Sequence, residues 1–302
     1  MSPEGKLLRV RVPASTANLG SGFDVLGLGL GMYLDLDLTL RPGPIVVRCS
    51  GEGAAALPTD ATNLIAQVIV DAGGAAVAGG FELRTHSEIP LTRGFGSSAS
   101  AIVGGLALAQ LARDGALDRD ELLRVSTEME GHPDNVSASI HGGLTVSATI
   151  GASVASRSLR LPDGVQIVAI TPDRELSTSA ARRALPDAWP KADVVFNMQR
   201  LAMFITAVHS GEMELLRAGL ADLLHQPYRF PLLPQMQTAI EEMSARAGCL
   251  GAFISGAGPA IVAFATDNAE QIGTAGARPF IDAGIAASWR VLDVDYEGVR
   301  TR

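Results

Sequence analysis

Between Met32 and Arg41 the chain reads MYLDLDLTLR, with Leu34, Leu36, Leu38 and Leu40 alternating against Asp35, Asp37 and Thr39. A period of two puts the leucines on one face and predicts a half-buried β-strand. Apolar and basic residues alternate in the same way from Leu8 to Val12, which predicts an earlier strand. Further strands are expected over residues 44–51, 81–90, 142–151 and 165–172, and a strand–glycine turn–strand unit over 251–266. The stretch 287–298 reads as a closing strand. Helices are expected over 63–72 and from the glycine–serine knot at 94–98 to Ala112. Asp118 is placed to cap another, over 118–131, and two more fall over 193–224 and 233–248, the last stopped by Gly248.

Strands and helices are mixed without regular alternation, which favours an α+β fold in two parts over a doubly wound sheet. The pattern weakens between Gly151 and Asp163, so the expected units are residues 1–158 and 159–302.

Composition narrows the function. Hydrophobic residues make up 47% of the 302 positions and charged residues 19%, ample for a core. The net charge of −8, with no basic cluster, argues against nucleic-acid binding. Cys49 and Cys249 have neither disulfide-framework nor metal-ligand spacing. The N-terminus does not read as a signal peptide, and no stretch reaches the roughly 18 apolar residues of a membrane span. The expectation is a soluble cytoplasmic protein with no membrane partner.

Three glycine-rich segments carry the candidate chemistry: PASTANLGSGFDVLGLGL (13–30), PLTRGFGSSAS (90–100) and SGAGPA (255–260). The second runs into an apolar helix. Glycines let backbone approach a ligand closely, and a helix start offers unpaired N–H groups and partial positive charge, which together make an anion site. Ser97, Ser98 and Ser100 add hydroxyls for phosphate oxygens or a metal. Taken alone, the segment also reads as an ordinary helix start with packing glycines. It lacks the lysine of a G-x-x-x-x-G-K-[ST] loop and the last glycine of a G-x-S-x-G elbow. The first segment gathers Ser15, Thr16, Asn18, Ser21 and Asp24, a set suited to a polar ligand or to an Asx-rich turn. The stretch EMEGHPDN adds Glu128, Glu130, His132, Asp134 and Asn135, where one carboxylate could hold Mg²⁺ and another act as a base.

In this order and at these separations the three segments resemble the three motifs of the GHMP kinases. Within that superfamily the homoserine kinases are the nearest group, through ASTANLGSGFDVLGLGL, EGHPDN, STSAARRALP and HQPYRFPLLP. The resemblance spans nearly the whole chain. It implies an N-terminal domain like ribosomal protein S5 and a C-terminal ferredoxin-like domain. The implied activity is ATP-dependent phosphorylation of the L-homoserine side-chain hydroxyl, a step towards threonine, by a homodimer using Mg²⁺. Another small-molecule kinase of the superfamily and a non-catalytic ligand-binding relative are the alternatives.

Carried over by position, the resemblance assigns nucleotide contacts to Asn63, Pro90, Arg93, Gly94, Phe95, Gly96, Ser97, Ser98, Ala99 and Ser100. It gives Ser98 and Glu130 the magnesium ion, with Glu128 as substitute. It gives Asn18, Asp24, His132, Asn135, Arg182 and Arg229 the amino acid, the two arginines clamping its carboxylate. Asp134 takes the place of a general base, with direct proton passage to the phosphate as the rival. Phe95, Ser100 and Ala260 depart from the usual residues at their positions.

Overall fold

The computed structural model describes residues 5–302. β1 (Leu7–Asn18) and β2 (Gly22–Leu40) form a long antiparallel hairpin. Its register sets Arg9 opposite Asp37 and Arg11 opposite Asp35. The Arg11 guanidinium meets both oxygens of Asp35 at 2.8 Å. Charge pairing on the outer face and the buried leucines on the inner face therefore specify the same register.

β3 (Val46–Gly51), α1 (Leu64–Gly73) and β4 (Phe81–Ser87) follow, β3 pairing with β4 in parallel. α2 (Ser97–Arg113), α3 (Arg119–Glu130) and α4 (Asp134–His141) come next, then the hairpin of β5 (Leu144–Ile150) and β6 (Ser153–Leu159). β4 pairs with the second half of β2 and β5 with its first half, so the sheet splays around one long strand. α2 is buried from Ala99 to Leu111 except at the half-buried Ala101, as its apolar sequence predicts.

The second part contains β7 (Gln166–Pro172), α5 (Thr178–Arg183), α6 (Lys191–Ser210), α7 (Met213–Gly219), α8 (Gln226–Arg229) and α9 (Gln235–Ser244). β8 (Cys249–Ile254), β9 (Ile261–Ala265), α10 (Ala269–Asp282) and β10 (Ala287–Leu292) complete it. Its sheet runs β10-β7-β9-β8 with every neighbour antiparallel, the ferredoxin-like order. Along β7, Ile167 and Ala169 face the core shared with the first part, while Val168 and Ile170 face α9 and α10. Both faces are covered, which explains the unbroken apolar run. The chain then returns to the first sheet, where β11 (Arg300–Thr301) pairs with β1.

Several expectations need correction. Pro13–Asn18 and Gly22–Leu30 are strand rather than loop, and only Leu19–Ser21 turns. Pro13–Asn18 and Leu26–Leu30 are buried on both faces, so the alternation that marks a strand is missing there. The region 193–224 holds two helices separated at Gly211. α4, α5, α8 and α10 were not anticipated. α4 is a serine-rich helix of eight residues, too short and too polar to show a period. It lies directly on β2, where a Cβ at Gly27 would collide with the Asp134 carbonyl. The glycine thus sets how close Asp134 comes to the sheet.

Candidate active site

The three glycine segments meet where the two parts of the chain join. Gly94 and Gly96 both have left-handed backbone, with φ of 93° and 66°. Gly96 precedes α2, which opens without a side-chain cap. Its first N–H groups are therefore available to an anion. The third segment braces this loop: Ser255 Oγ donates to Gly94 O at 2.7 Å, and Ala260 N donates to Arg93 O at 3.0 Å. Gly256 N donates to Ala17 O at 3.1 Å, tying the same turn to β1.

Across a cleft of about 190 Å³ lies a cationic wall. Asn18, at the end of β1, donates from Nδ2 to Gly256 O at 2.9 Å and accepts from Asp24 N at 3.1 Å. Asp24 receives a fork from Arg182, at 2.7 and 3.1 Å. Arg229 is buried, and its Nη1 donates to Gly256 O at 2.8 Å and to His225 Nδ1 at 3.1 Å. Its Nε is buried without a partner. Burial, and then the nearby Arg182, lower the Arg229 pKa to about 10. The group stays charged at neutral pH, in a place where charge is costly until an anion arrives.

The turn between α3 and α4 supplies the remaining polar groups. Ser98 Oγ donates to Glu130 Oε2 at 3.1 Å, bringing a hydroxyl and a carboxylate together beside the start of α2. Asp134 is the first residue of α4, and its Oδ1 accepts from His132 Nδ1 and Asn135 N, both at 2.7 Å. Burial disfavours a charged His132, but hydrogen bonding and attraction to Asp134 outweigh it and raise the imidazole pKa. Asn135 Oδ1 accepts from Ser15 Oγ at 3.0 Å.

The cleft thus gathers Asn18, Asp24, Gly94, Gly96, Ser97, Ser98, Glu130, His132, Asp134, Asn135, Arg182 and Arg229 from the expected set. The structure places other members of that set elsewhere. Asn63 caps α1, accepting from Ile65 N at 3.0 Å while its Nδ2 donates to Pro58 O at 3.0 Å, so both ends of its amide are engaged. Phe95 and Ala99 are buried in the core. Ser100 points its hydroxyl inward to Pro13 O at 3.0 Å. Pro90 is buried, and Arg93 pairs with Asp173 at 2.9 Å. Glu128 pairs with Arg124 along α3 and leaves the cleft carboxylate to Glu130. Sequence reasoning missed Thr92, Ser177 and Thr178, which also line the cleft, together with Phe23 and His225 behind the arginines. All five lie inside the segments that carry the family resemblance, which is the signal that could have found them.

Residues 61–143 match the family described as GHMP kinases N terminal domain, and residues 204–282 match GHMP kinases C terminal. A homoserine kinase of Moorella thermoacetica is 38% identical over 287 residues, covering 94% of this chain and 96% of its own length. Another, of Persephonella marina, is 36% identical over 295 residues, covering 97% of both. Among solved structures, homoserine kinase from Cytophaga hutchinsonii superposes with a TM-score of 0.85 at 27% identity, over 98% of this chain and 97% of that one.

Proposed function

The chain belongs to the GHMP kinase family, and on that premise we propose that it transfers the terminal phosphoryl group of ATP to the side-chain hydroxyl of L-homoserine. One observation carries this reading: a single cleft has an uncapped helix start on one side and the Arg182–Arg229 wall on the other, with Asp134 and Asn135 between them. Phosphoryl transfer depends on positioning and charge stabilisation more than on covalent chemistry by the protein. The backbone of Gly94–Ala99 cradles the phosphates, as helix starts do elsewhere. Arg229, a buried cation with an unpartnered Nε, binds the amino-acid carboxylate. Asp24, with Asn18 fixing its backbone, receives the ammonium group. Asn135 and Asp134 orient the hydroxyl.

The hard oxygens of Ser98 and Glu130, already within hydrogen-bond distance of each other, fit Mg²⁺. When bound there, the ion neutralises phosphate charge. Glu130→Gln is expected to raise the Mg²⁺ concentration for half-maximal rate about tenfold, through loss of a ligand charge, and to leave the homoserine KM unchanged. A magnesium titration at fixed ATP reads this directly.

The reading is tested by ADP release at fixed Mg-ATP with L-homoserine, mevalonate, shikimate, 3-amino-1-propanol or no acceptor. L-Homoserine is expected to be the preferred acceptor. 3-Amino-1-propanol, which is homoserine without its carboxylate, should be at least about 100-fold poorer in kcat/KM because it leaves Arg229 unpaired. Preference for mevalonate or shikimate, or indifference to the missing carboxylate, would overturn the assignment.

A further inference from the structure

His225 lies one residue before α8 and is wholly enclosed. Its Nδ1 is 3.1 Å from Arg229 Nη1, and its Nε2 is 2.9 Å from Gly20 O. A guanidinium only donates hydrogen bonds, so Nδ1 must be the bare, accepting nitrogen. The ring proton then sits on Nε2 and donates to Gly20 O. Protonating Nδ1 would remove the acceptor and set two cations against each other. Burial, assisted by Arg229 and opposed by Asp222, lowers the His225 pKa to about 4 and keeps the ring neutral.

The surroundings hold this ring in place. Asp222 accepts from Leu224 N at 2.9 Å, His225 N at 3.1 Å and Gln226 N at 2.7 Å, pinning the backbone that carries the imidazole. The ring stacks on Phe23, with centroids 5.3 Å apart and planes at 22°. The same Phe23 ring carries the guanidiniums of Arg229 and Arg182 at 5.5 and 5.7 Å.

We propose that His225 is a positioning residue: as a neutral imidazole protonated at Nε2, it fixes the Arg229 guanidinium towards the cleft and ties it to the turn between β1 and β2, thereby setting affinity for the amino-acid carboxylate. This rests on the reading of Arg229 given above. With two acceptors on Nη1, His225 Nδ1 and Gly256 O, the guanidinium is held before the ligand arrives, and binding need not order it.

Two substitutions separate positioning from packing. Asparagine at this site carries its amide oxygen where Nδ1 stands, keeping an acceptor for Arg229 and losing the donor to Gly20. Glutamine reaches the Nε2 position with its amide nitrogen, keeping the Gly20 contact and losing the acceptor. His225→Gln is expected to raise the homoserine KM about tenfold or more, with kcat and the Mg-ATP KM within about twofold. His225→Asn should stay within about threefold on all three constants. Equal losses in the two variants, or a worse KM in His225→Asn, would show that packing or the Gly20 tie is what matters and would overturn the proposal.

A second measurement needs neither a variant nor turnover. Side-chain ¹⁵N NMR of the wild-type protein should show one neutral, Nε2-protonated histidine that does not titrate between about pH 5.5 and 8. Absence of any such ring refutes the proposed contact; a ring protonated at Nδ1 is expected from His132, whose Nδ1 faces Asp134, and does not bear on it. A wild-type enzyme that ignores homoserine but shows the expected tautomer would sink the substrate assignment and, with it, the carboxylate role, while leaving the contact itself established.

Discussion

Asp134→Asn is expected to lower kcat by about 100- to 10,000-fold, the range for loss of a positioned acid–base group, while the homoserine KM changes only a few-fold. Oδ1 of Asp134 already accepts from His132 Nδ1 and Asn135 N at 2.7 Å, and from Asn135 Nδ2 at 3.3 Å. Oδ2 takes no hydrogen bond from the described residues, so one oxygen remains for the acceptor hydroxyl. Asparagine has the same shape. If its oxygen keeps the three donors, its NH₂ faces the hydroxyl and cannot take the proton. If it turns over, the NH₂ meets His132 and the Asn135 amide donor to donor. Both arrangements fail at the step where the hydroxyl must lose its proton. Single-turnover rates measured with saturating Mg-ATP separate this from slow product release. A fall of less than about tenfold would mean that the proton passes directly to the phosphoryl group, with Asp134 acting only through its charge.

The difference between what the sequence made legible and what it hid follows burial and distance along the chain. β1 and the second half of β2 announce themselves because one face is apolar and the other charged. α2 does so because an apolar run follows a glycine–serine knot. Pro13–Asn18 is also a strand, but it is buried on both faces and built from small residues, so it resembles a loop. Asn63 and Ser100 show a related effect. An amide or hydroxyl beside a glycine motif has the right chemistry for a ligand, yet each is consumed by backbone a short way off in space: Ile65 N and Pro58 O for Asn63, Pro13 O for Ser100. The arginine wall was expected from the resemblance. Its support was not: Phe23 and His225 lie about two hundred positions apart and touch only because the turn after β1 packs against the segment before α8.

Gly94→Ala is expected to abolish measurable transfer and to destabilise the fold by about 2–4 kcal/mol, the range for backbone strain combined with a buried clash. Gly94 has φ of 93°, a conformation in which a side chain is strained in any surroundings. The surroundings here are also closed. A Cβ would collide with the Ser255 carbonyl oxygen and stand 3.1 Å from Gly258 O and 3.2 Å from Gly258 N. These are backbone atoms that cannot rotate away. Ser255 O is itself held by Gly258 N at 2.8 Å, and Ser255 Oγ is held by Gly94 O and Thr16 Oγ1 at 2.7 and 2.8 Å. Relief therefore means parting the second glycine segment from the third, which moves the start of α2 relative to the turn that carries Gly256. Gly256 O is the acceptor shared by Asn18 and Arg229, so the phosphate cradle and the carboxylate clamp are disturbed together. Equilibrium binding of both substrates should weaken, unlike the selective change expected for His225→Gln. Gly151→Ala is the matched control: φ is 61°, nothing lies within 4 Å of its Cβ position, and the turn joins β5 to β6 away from the cleft. It should cost about 1 kcal/mol in stability through strain alone and leave turnover intact. Thermal melting and initial rates on the two variants give both readouts. An active Gly94→Ala enzyme would mean that the two glycine segments are free to separate without harm to transfer.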